Sequence, residues 1–399
     1  MRVAELSCSP NTDTRVAYLY ERPDTSTFRY RVYNMVEALR TAPELGITAS
    51  WFALSEKDHI IRLLPKIDVL VIARVRYNQA VGDIVAKARM MDVRVLFECD
   101  DLVFDVRQTH LLSVTLDQNT LTEDHWQAWF ATLGRMQATA ALCDGGITTN
   151  AFLAEKMAPF VNGPVHVIPN FLNRDQEALS RKLLAAKQAR GFVGDGQITI
   201  GYFSGTPTHN LDFTIVVPAL LRLLHRDPKV NLRIVGFMRS FDVFSEFSDR
   251  VGKIDLQDWM NLQVKIAEVD VNIAPLQQNP FTHCKSELKF FEAAAVGSWT
   301  CATRSYTFER AITDPVYGTL TENGAWEAVL DDAVALARDK PLYAERAKTA
   351  AAYVYDRYGW NKNTDAIIRA VSRASKRRNP NGQSGCPRSS LAARPIPHP

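Results

Sequence analysis

Short apolar runs rich in Val, Ile and Leu alternate with helical patterns along most of the chain, and this series occurs twice. The first series predicts strands at 15–21, 47–54, 67–74, 93–101 and 165–171. The second predicts strands at 197–205, 230–237, 269–276 and 298–303. Strands of this kind separated by helices favour a parallel sheet covered on both faces. The sequence therefore predicts an α/β protein with two Rossmann-like, doubly wound sheets in tandem.

The domain boundaries follow from this repetition. A chain of 399 residues favours two or three domains. A polar, helix-prone connection at 173–196 separates the two series. We predict one domain at 1–172 and a second at 173–357. The Pro-, Gly-, Ser- and Arg-rich end at 376–399 is predicted to be a disordered basic tail.

Charge and cysteine content narrow the function classes. The net charge of +3 does not indicate a nucleic-acid partner. The six cysteines show no CxxC spacing, and no run of about 18 apolar residues occurs, which favours a cytoplasmic protein with reduced thiols. The region from 372 onward carries several Arg and Lys but no acid. That tail is either solvated or makes a weak peripheral contact with anionic lipid.

Ligands of open parallel sheets bind beyond the carboxyl ends of the strands. Two such sheets that face each other would form a cleft lined by the loops at 21–29, 98–110, 204–212 and 276–286. No GxGxxG follows a strand, and GxxxxGK[ST], HExxH and GxSxG do not occur. The sequence therefore lacks the usual motifs of dehydrogenases, NTPases, metalloproteases and esterases.

The loop "YFSGTPTHNLDF" at 202–213 is a candidate anion site. Gly205 ends a strand, and Thr206 and His209 precede a helix that begins near Asp212. Backbone N–H groups and hydroxyls at a helix N-terminus suit a phosphate. The alternative is that Asn210 or Asp212 only caps the helix.

The stretch "FECDDLVFDVRQTH" at 97–110 places Glu98, Asp100, Asp101 and Asp105 after a strand. Such a carboxylate cluster could bind a metal or sugar hydroxyls, or act as a base. The alternative is that Asp100 or Asp101 caps the next helix. For His110, a structural role is favoured over a catalytic one.

The stretch "CKSELKFFEAAAVG" at 284–297 is predicted to be one helix. Lys285, Lys289 and Glu292 follow steps of four and three residues, which places them along one face, and the opposite face is apolar. The charged face is either solvated or directed into a site.

This stretch and its surroundings resemble a known family. "VDVNIAPLQQNPFTHCKSELKFFEAAAVGSWTCAT" and "IGYFSGTPTHNLDF" resemble the donor-binding half of group 1 glycosyltransferases of the GT-B fold. "VIPNF" and "FRYRVYNMVEAL" resemble parts of the N-terminal half, and "FECDDLVF" resembles polysaccharide-assembly members. Together these motifs span about residues 15 to 360.

The resemblance implies transfer of a sugar from a nucleotide-sugar donor to a glycan, lipid-linked or other acceptor. It also implies retention of anomeric configuration, no bound metal ion and no cofactor. The first domain would be the acceptor side and the second the donor side. A final helix at 358–375 would cross back onto the first domain.

The resemblance also implies roles for individual residues. Glu292 would hold the ribose hydroxyls, and Lys285 and Ser286 would lie in the loop that faces the diphosphate and sugar. The diphosphate would also meet a group at the end of the first donor-domain strand: Gly205, Thr206 and His209. The catalytic candidates are His110, which would lie beside the reacting sugar, and the carboxylates of Asp100 and Asp101.

The chain departs from the family pattern at one position. The family has a glutamate eight residues before the one that matches Glu292, and this chain has Cys284 there. Two other functions stay open: a nucleotide-sugar epimerase of the same fold that uses Asp100 and Asp101, and a non-catalytic glycan-binding or scaffold protein.

Overall fold

The computed structural model describes residues 2–8, 12–23, 26–42, 44, 46–117, 122–206, 209–238 and 241–372. The basic tail predicted at 376–399 lies outside the described residues. Within them the chain forms two six-stranded parallel sheets. The first sheet with its helices is named the N-lobe, and the second sheet with its helices the C-lobe.

The strands of the N-lobe are β1 (Thr14–Tyr20), β2 (Ile47–Ala53), β3 (Val69–Ala73), β4 (Arg94–Glu98), β5 (Gly146–Thr148) and β6 (Val165–Val167). Those of the C-lobe are β7 (Ile198–Ser204), β8 (Val230–Gly236), β9 (Val251–Ile254), β10 (Val271–Ala274), β11 (Trp299–Thr303) and β12 (Thr319–Thr321). The strand orders are β2-β1-β3-β4-β5-β6 in the N-lobe and β12-β11-β10-β7-β8-β9 in the C-lobe. Every residue of β3, β10 and β11 is buried. This burial explains why these strands are continuous apolar runs in the sequence, since helices cover both faces of a parallel sheet.

The helices of the N-lobe are α1 (Arg2–Cys8), α2 (Ser26–Phe28), α3 (Asn34–Arg40), α4 (Lys57–Leu63), α5 (Gln79–Met90), α6 (Thr109–Thr115), α7 (Glu123–Ala141) and α8 (Ala151–Met157). A π-helical turn at Arg29–Tyr33 precedes α3. The later helices are α9 (Arg174–Ala189), α10 (Asn210–Thr214), α11 (Val217–Arg226), α12 (Trp259–Ala267), α13 (Pro280–His283), α14 (Leu288–Ala295), α15 (Tyr306–Ala311), α16 (Trp326–Arg338), α17 (Lys340–Tyr358) and α18 (Thr364–Val371).

The prediction of a single helix at 284–297 is wrong. The only helix in the segment is α14, which begins at Leu288, and residues 284–287 connect it to α13, which ends at His283. Asn279 caps α13 with its side chain on the N–H of Thr282, and Pro280 occupies the first turn. Lys285 therefore lies in the connection between two helices and does not share a helical face with the residues of α14.

The last helix packs on the N-lobe. α18 contacts α3 and β6. The guanidinium of Arg94, at the start of β4, donates to the carbonyl oxygens of Ala370 and Ser372 over 3.0 Å each. This contact ties the end of the described chain to the N-lobe, whereas the domain boundaries drawn from the sequence stay a prediction.

A buried ion pair joins the π-helical turn before α3 to the sheet of the N-lobe. The Nε of Arg31 donates to Glu98 Oε1 over 2.6 Å, and both side chains are at most 1% exposed. The Nη1 of Arg31 also donates to the carbonyl oxygen of Ile168 and to Asn170 Oδ1. Arg31 thus fixes the π-helical turn against the carboxyl end of β4 and the segment after β6.

We expect Arg31→Met to lower the free energy of unfolding by about 3–5 kcal/mol, because it leaves the buried Glu98 carboxylate without its partner. Chemical denaturation measures this loss. The matched control is Arg222→Met, whose partner Glu327 is exposed, with an expected change below about 1 kcal/mol. Equal losses in the two variants would contradict the assignment.

Candidate functional site

The two lobes meet at the segment between β10 and α14, residues 275–287, which is named the β10–α14 segment. Lys285 Nζ lies 3.0 Å from Asp101 Oδ1, at the carboxyl end of β4. Asn150, which caps α8, donates to the carbonyl oxygens of Cys284 and Lys285 over 3.1 and 3.3 Å. The amide of Asn170 donates to Ser286 Oγ over 2.9 Å. The segment is therefore bound to the N-lobe at several points.

The same segment carries an apolar contact. Phe281 and Cys284 belong to a buried cluster that is otherwise built from N-lobe residues, among them Cys99, Leu102 and Leu112. The Cys284 side chain is 0% exposed. Cys284 is thus a small thiol that packs into the neighbouring lobe.

The carboxylates after β4 are all engaged with cations or with the backbone. Arg74 Nη1 donates to Asp100 Oδ1 over 2.7 Å and to Asp101 Oδ2 over 3.2 Å. Burial alone would raise the pKa of Asp101, but the charges of Lys285 and Arg74 outweigh it and lower the pKa to about 2. A general base near neutral pH needs a pKa close to 7, so Asp101 is unsuited to that role.

The rest of that carboxylate cluster is divided between structural contacts. Glu98 pairs with Arg31. Asp105 caps the turn at Val106–Gln108 and accepts from the side chain of Arg107. Within the ranges that the structure describes, no group of three or more His, Cys, Asp or Glu side chains is placed to hold a metal ion.

Lys289, in the first turn of α14, has a side chain that forms no hydrogen bond or ion pair within the described residues. Its Nζ is buried and makes no hydrogen bond within the described part of the chain. The ammonium lies 4.6 Å from the centre of the Tyr202 ring, on β7. Burial, the largest effect, and the charge of Lys285 lower the pKa of Lys289 to about 8, although the negative charges of Asp212 and Glu292 raise it. An unpaired buried ammonium is costly, and an anionic ligand would relieve that cost.

His209 lies close to both lysines. Its Nδ1 is 2.9 Å from Asp212 Oδ2, and the other oxygen of Asp212 accepts from the backbone N–H of Gln277. Burial lowers the pKa of His209, the bond with Asp212 opposes this, and the charges of Lys289 and Lys285 lower it further. The structure therefore brings His209, Lys285 and Lys289 into one electrostatic cluster.

Gly205 and Thr206 lie directly after β7 and are exposed. Residues 207–208 of this loop lie outside the described residues. A Cβ added at Gly205 would meet nothing within 4 Å, so the backbone there is open to a ligand.

Glu292 has a different environment from the one the sequence indicates. It is 3% exposed, and its Oε1 accepts from Arg29 Nη2 over 3.4 Å, from Gln176 Nε2 over 3.3 Å and from the hydroxyl of Tyr30. The backbone carbonyl of Glu292 accepts from Gln263. The residue therefore joins α14 to the π-helical turn of the N-lobe, and its contact with ribose stays a prediction.

His110 is exposed on α6. Its ring lies 4.7 Å from that of Trp126 and 6.3 Å from that of Phe130, both on α7. These contacts place His110 in an aromatic surface cluster of the N-lobe. Neither contact joins His110 to Lys285 or Lys289.

Two residues of this site carried little signal in the sequence. Arg74 is the residue after β3, and nothing in its neighbours distinguishes it from a solvated arginine. The sequence explains Lys289 equally well as a solvated lysine, although its position three residues before Glu292 places both side chains on one face of the predicted helix. Both are defined by their surroundings, which only the packed structure supplies.

No model of a protein family matches the chain, and no curated protein matches its sequence. Solved structures match its fold. One is Anabaena Alr3699/HepE in complex with UDP, with a TM-score of 0.59 and 14% identity over 90% of this chain and 99% of that one. The chain has the GT-B fold. This finding confirms the fold predicted from the sequence.

Two further structures are similar at the same level. An alpha-glucosyltransferase in complex with UDP gives a TM-score of 0.60 and 12% identity, over 89% of this chain and all of that one. The sucrose-phosphate synthase of Thermosynechococcus elongatus gives a TM-score of 0.60 and 16% identity, over 90% of this chain and 97% of that one.

Within the described ranges, every helix is too short or too polar to cross a membrane.

We expect Cys284→Glu to destabilise the protein by about 3 kcal/mol or more, because the new carboxylate would be buried among apolar side chains. Cys284→Ala is the matched control and should cost clearly less. Thermal and chemical denaturation of both variants measure the difference. A Cys284→Glu variant as stable as the control would show that this position does not face the N-lobe cluster.

Proposed function

We propose that the chain is a glycosyltransferase that binds a nucleotide-sugar donor where the two lobes meet. The observation that carries this proposal is the buried Lys289 ammonium, which has no hydrogen-bond partner within the described residues. A diphosphate oxygen supplies the hydrogen-bond acceptor that this ammonium lacks. The proteins of similar fold include an Anabaena protein crystallised with UDP-glucose, which supports a donor of this class.

Neighbouring groups suit the same ligand. Lys285 adds positive potential beside Lys289, and His209 is a neutral hydrogen-bonding group near pH 7 because its pKa is lowered. Lys289 lies in the first turn of α14, where free backbone N–H groups and the helix dipole favour an anion. The exposed backbone at Gly205 and Thr206 follows β7, the strand that carries Tyr202, and can approach a phosphate closely.

The proposed reaction breaks the bond between the anomeric carbon and the diphosphate oxygen, and forms a bond from that carbon to the acceptor oxygen. The lysines stabilise the negative charge that develops on the leaving diphosphate. The acceptor proton passes to a phosphate oxygen on the same face, which gives retention. Because ammonium groups neutralise the leaving group, no bound metal ion or cofactor is invoked, and no protein nucleophile is assigned.

The remaining parts of the donor have candidate partners. Glu292 stays our proposal for the ribose hydroxyls, which would compete with Tyr30 for the same carboxylate oxygen. Exposed apolar side chains at the carboxyl ends of β8 and β9, Phe237 and Leu256, offer a surface for a nucleobase.

The acceptor is proposed to be a glycan that approaches from the N-lobe. The exposed rings of His110 and Phe130 and the half-buried ring of Trp126 form a surface on which the C–H face of a sugar can stack. This surface includes α6, whose last residue, Thr115, accepts from Gln277 in the β10–α14 segment. An epimerase receives less support, since it needs free carboxylates in the cleft, and Asp101 is paired with two cations.

We expect purified protein to bind a nucleoside diphosphate and to release it from one member of a panel of UDP-, GDP- and dTDP-sugars with glycan acceptors. Lys289→Met should weaken binding of that diphosphate roughly 10- to 100-fold, as expected for a lost charge-assisted hydrogen bond. Calorimetry and a nucleotide-release assay measure these effects. Lys265→Met, which removes a surface lysine paired with Glu268, is the control and should bind as wild type does. Failure of every diphosphate to bind would refute the proposal.

The pH dependence of binding provides a separate check. Lys289 is charged below its pKa of about 8. A phosphate monoester group has its second pKa near 6, so the ligand keeps its charge above pH 7. We therefore expect the affinity to fall about tenfold between pH 7 and pH 9, as the free protein loses this proton. Lys289→Met should lack most of this fall, and a wild-type affinity that is flat over the range would count against a role for Lys289.

A further inference from the structure

One carboxylate bridges two cations from different lobes. Asp101 accepts from Arg74 of the N-lobe over 3.2 Å and from Lys285 of the C-lobe over 3.0 Å. The Lys285 ammonium also lies 4.5 Å from the centre of the Phe281 ring. The backbone carbonyl oxygen of Lys285 accepts from the side-chain amide of Asn150 and from the hydroxyl of Thr307. The position of Lys285 is therefore set by the fold, and its charge is directed at Asp101.

Arg74 holds the N-lobe side of this bridge. Its backbone has a φ of 50°, in the left-handed region that residues other than glycine rarely adopt. From there its Nη1 reaches both Asp100 and Asp101, and it lies 3.4 Å from the hydroxyl of Thr27. Backbone conformations of this kind persist only where surrounding contacts impose them.

The two lysines of the site differ in one respect. Lys285 has an internal anion, whereas the Lys289 ammonium has no hydrogen-bond partner within the described residues. Each lysine affects the other, since the charge of Lys285 contributes to the lowered pKa of Lys289. An anion that binds to Lys289 therefore enters the field of Lys285 and competes there with Asp101.

We propose that Asp101, held by Arg74, is an internal substitute for the donor diphosphate on Lys285. This inference rests on the proposed function and adds a specificity-determining residue to it. When a diphosphate binds, Lys285 moves its hydrogen bond from the carboxylate to a phosphate oxygen. Asp101 keeps Arg74 as its counter-ion, so its charge is not left unpaired beside the ligand.

The exchange has a consequence for selectivity. The binding free energy that a ligand gains from Lys285 is only the difference between the free energy of its own contact with Lys285 and that of the Asp101–Lys285 contact it replaces. A nucleoside has no group that competes for Lys285, so its affinity is independent of Asp101. A diphosphate does compete, and Asp101 weakens its binding, which favours release of the product nucleotide.

The test measures the affinities of UDP, GDP, dTDP and the matching nucleosides by calorimetry. Asp101→Asn should bind the preferred diphosphate about fivefold more tightly than wild type, in line with the worth of a partly exposed ion pair. Nucleoside affinity should not change. Asp100→Asn is the matched control, because Asp100 contacts Arg74 without contacting Lys285, and its effect should be less than twofold.

A double-mutant cycle isolates the contact itself. Lys285→Met should weaken diphosphate binding by less than Lys289→Met does, because the loss of Lys285 also frees the ligand from competition. In the Lys285→Met background, Asp101→Asn should bring no further gain. The comparison of the two lysine variants provides an answer even where Asp101→Asn fails to fold.

The outcomes separate this inference from the proposed function. Diphosphate binding by wild type with no gain in Asp101→Asn, or with an equal gain in the Lys285→Met background, would overturn the exchange and leave the glycosyltransferase proposal standing. A Lys285→Met loss as large as that of Lys289→Met would also overturn it. Failure of wild type and Asp101→Asn alike to bind any diphosphate would overturn both.

Discussion

The attachment of the β10–α14 segment to the N-lobe is the interaction on which the rest of the site depends. This segment leaves a strand of one sheet and buries Phe281 and Cys284 in the apolar cluster of the other. The side-chain amide of Asn150 fixes the backbone of this segment by donating to the carbonyl oxygens of Cys284 and Lys285. As a result, the residues just after Cys284 face the strand ends of both lobes.

The electrostatics of the site follow from that attachment. The charged groups are Lys285, Lys289 and Asp212 of the C-lobe and Arg74, Asp100 and Asp101 of the N-lobe. The two N-lobe aspartates pair with Arg74 and Lys285, whereas the Lys289 ammonium lies in the field of Asp212 and Glu292 without a hydrogen bond to any described residue. An anionic ligand supplies that missing contact, and the pairing explains why the aspartates that the sequence presents as catalytic candidates are better described as counter-ions.

The fold was largely predictable from the sequence, whereas the site was only partly so. Strands such as β3 and β11 are short, continuous apolar runs because both of their faces are covered, and such runs are legible without a structure. The helix predicted at 284–297 is wrong at its start: residues 284–287 connect the short helix α13 to α14, which begins at Leu288, and periodicity alone does not detect this connection. Arg74 and Asp101 are 27 residues apart in sequence, and no local pattern indicates that they meet.

The sequence by itself determined the two parallel sheets, their order along the chain and the loops at their carboxyl ends, because hydrophobic periodicity encodes which faces are covered. It also supplied Lys285, Ser286, His209 and Glu292 as candidates. Only the tertiary structure decided which charges are neutralised: Asp101 by Arg74 and Lys285, and Glu292 by contacts from the N-lobe. The physical reason is that the free energy of a buried charge depends on partners brought together by folding, and these partners come from distant parts of the chain.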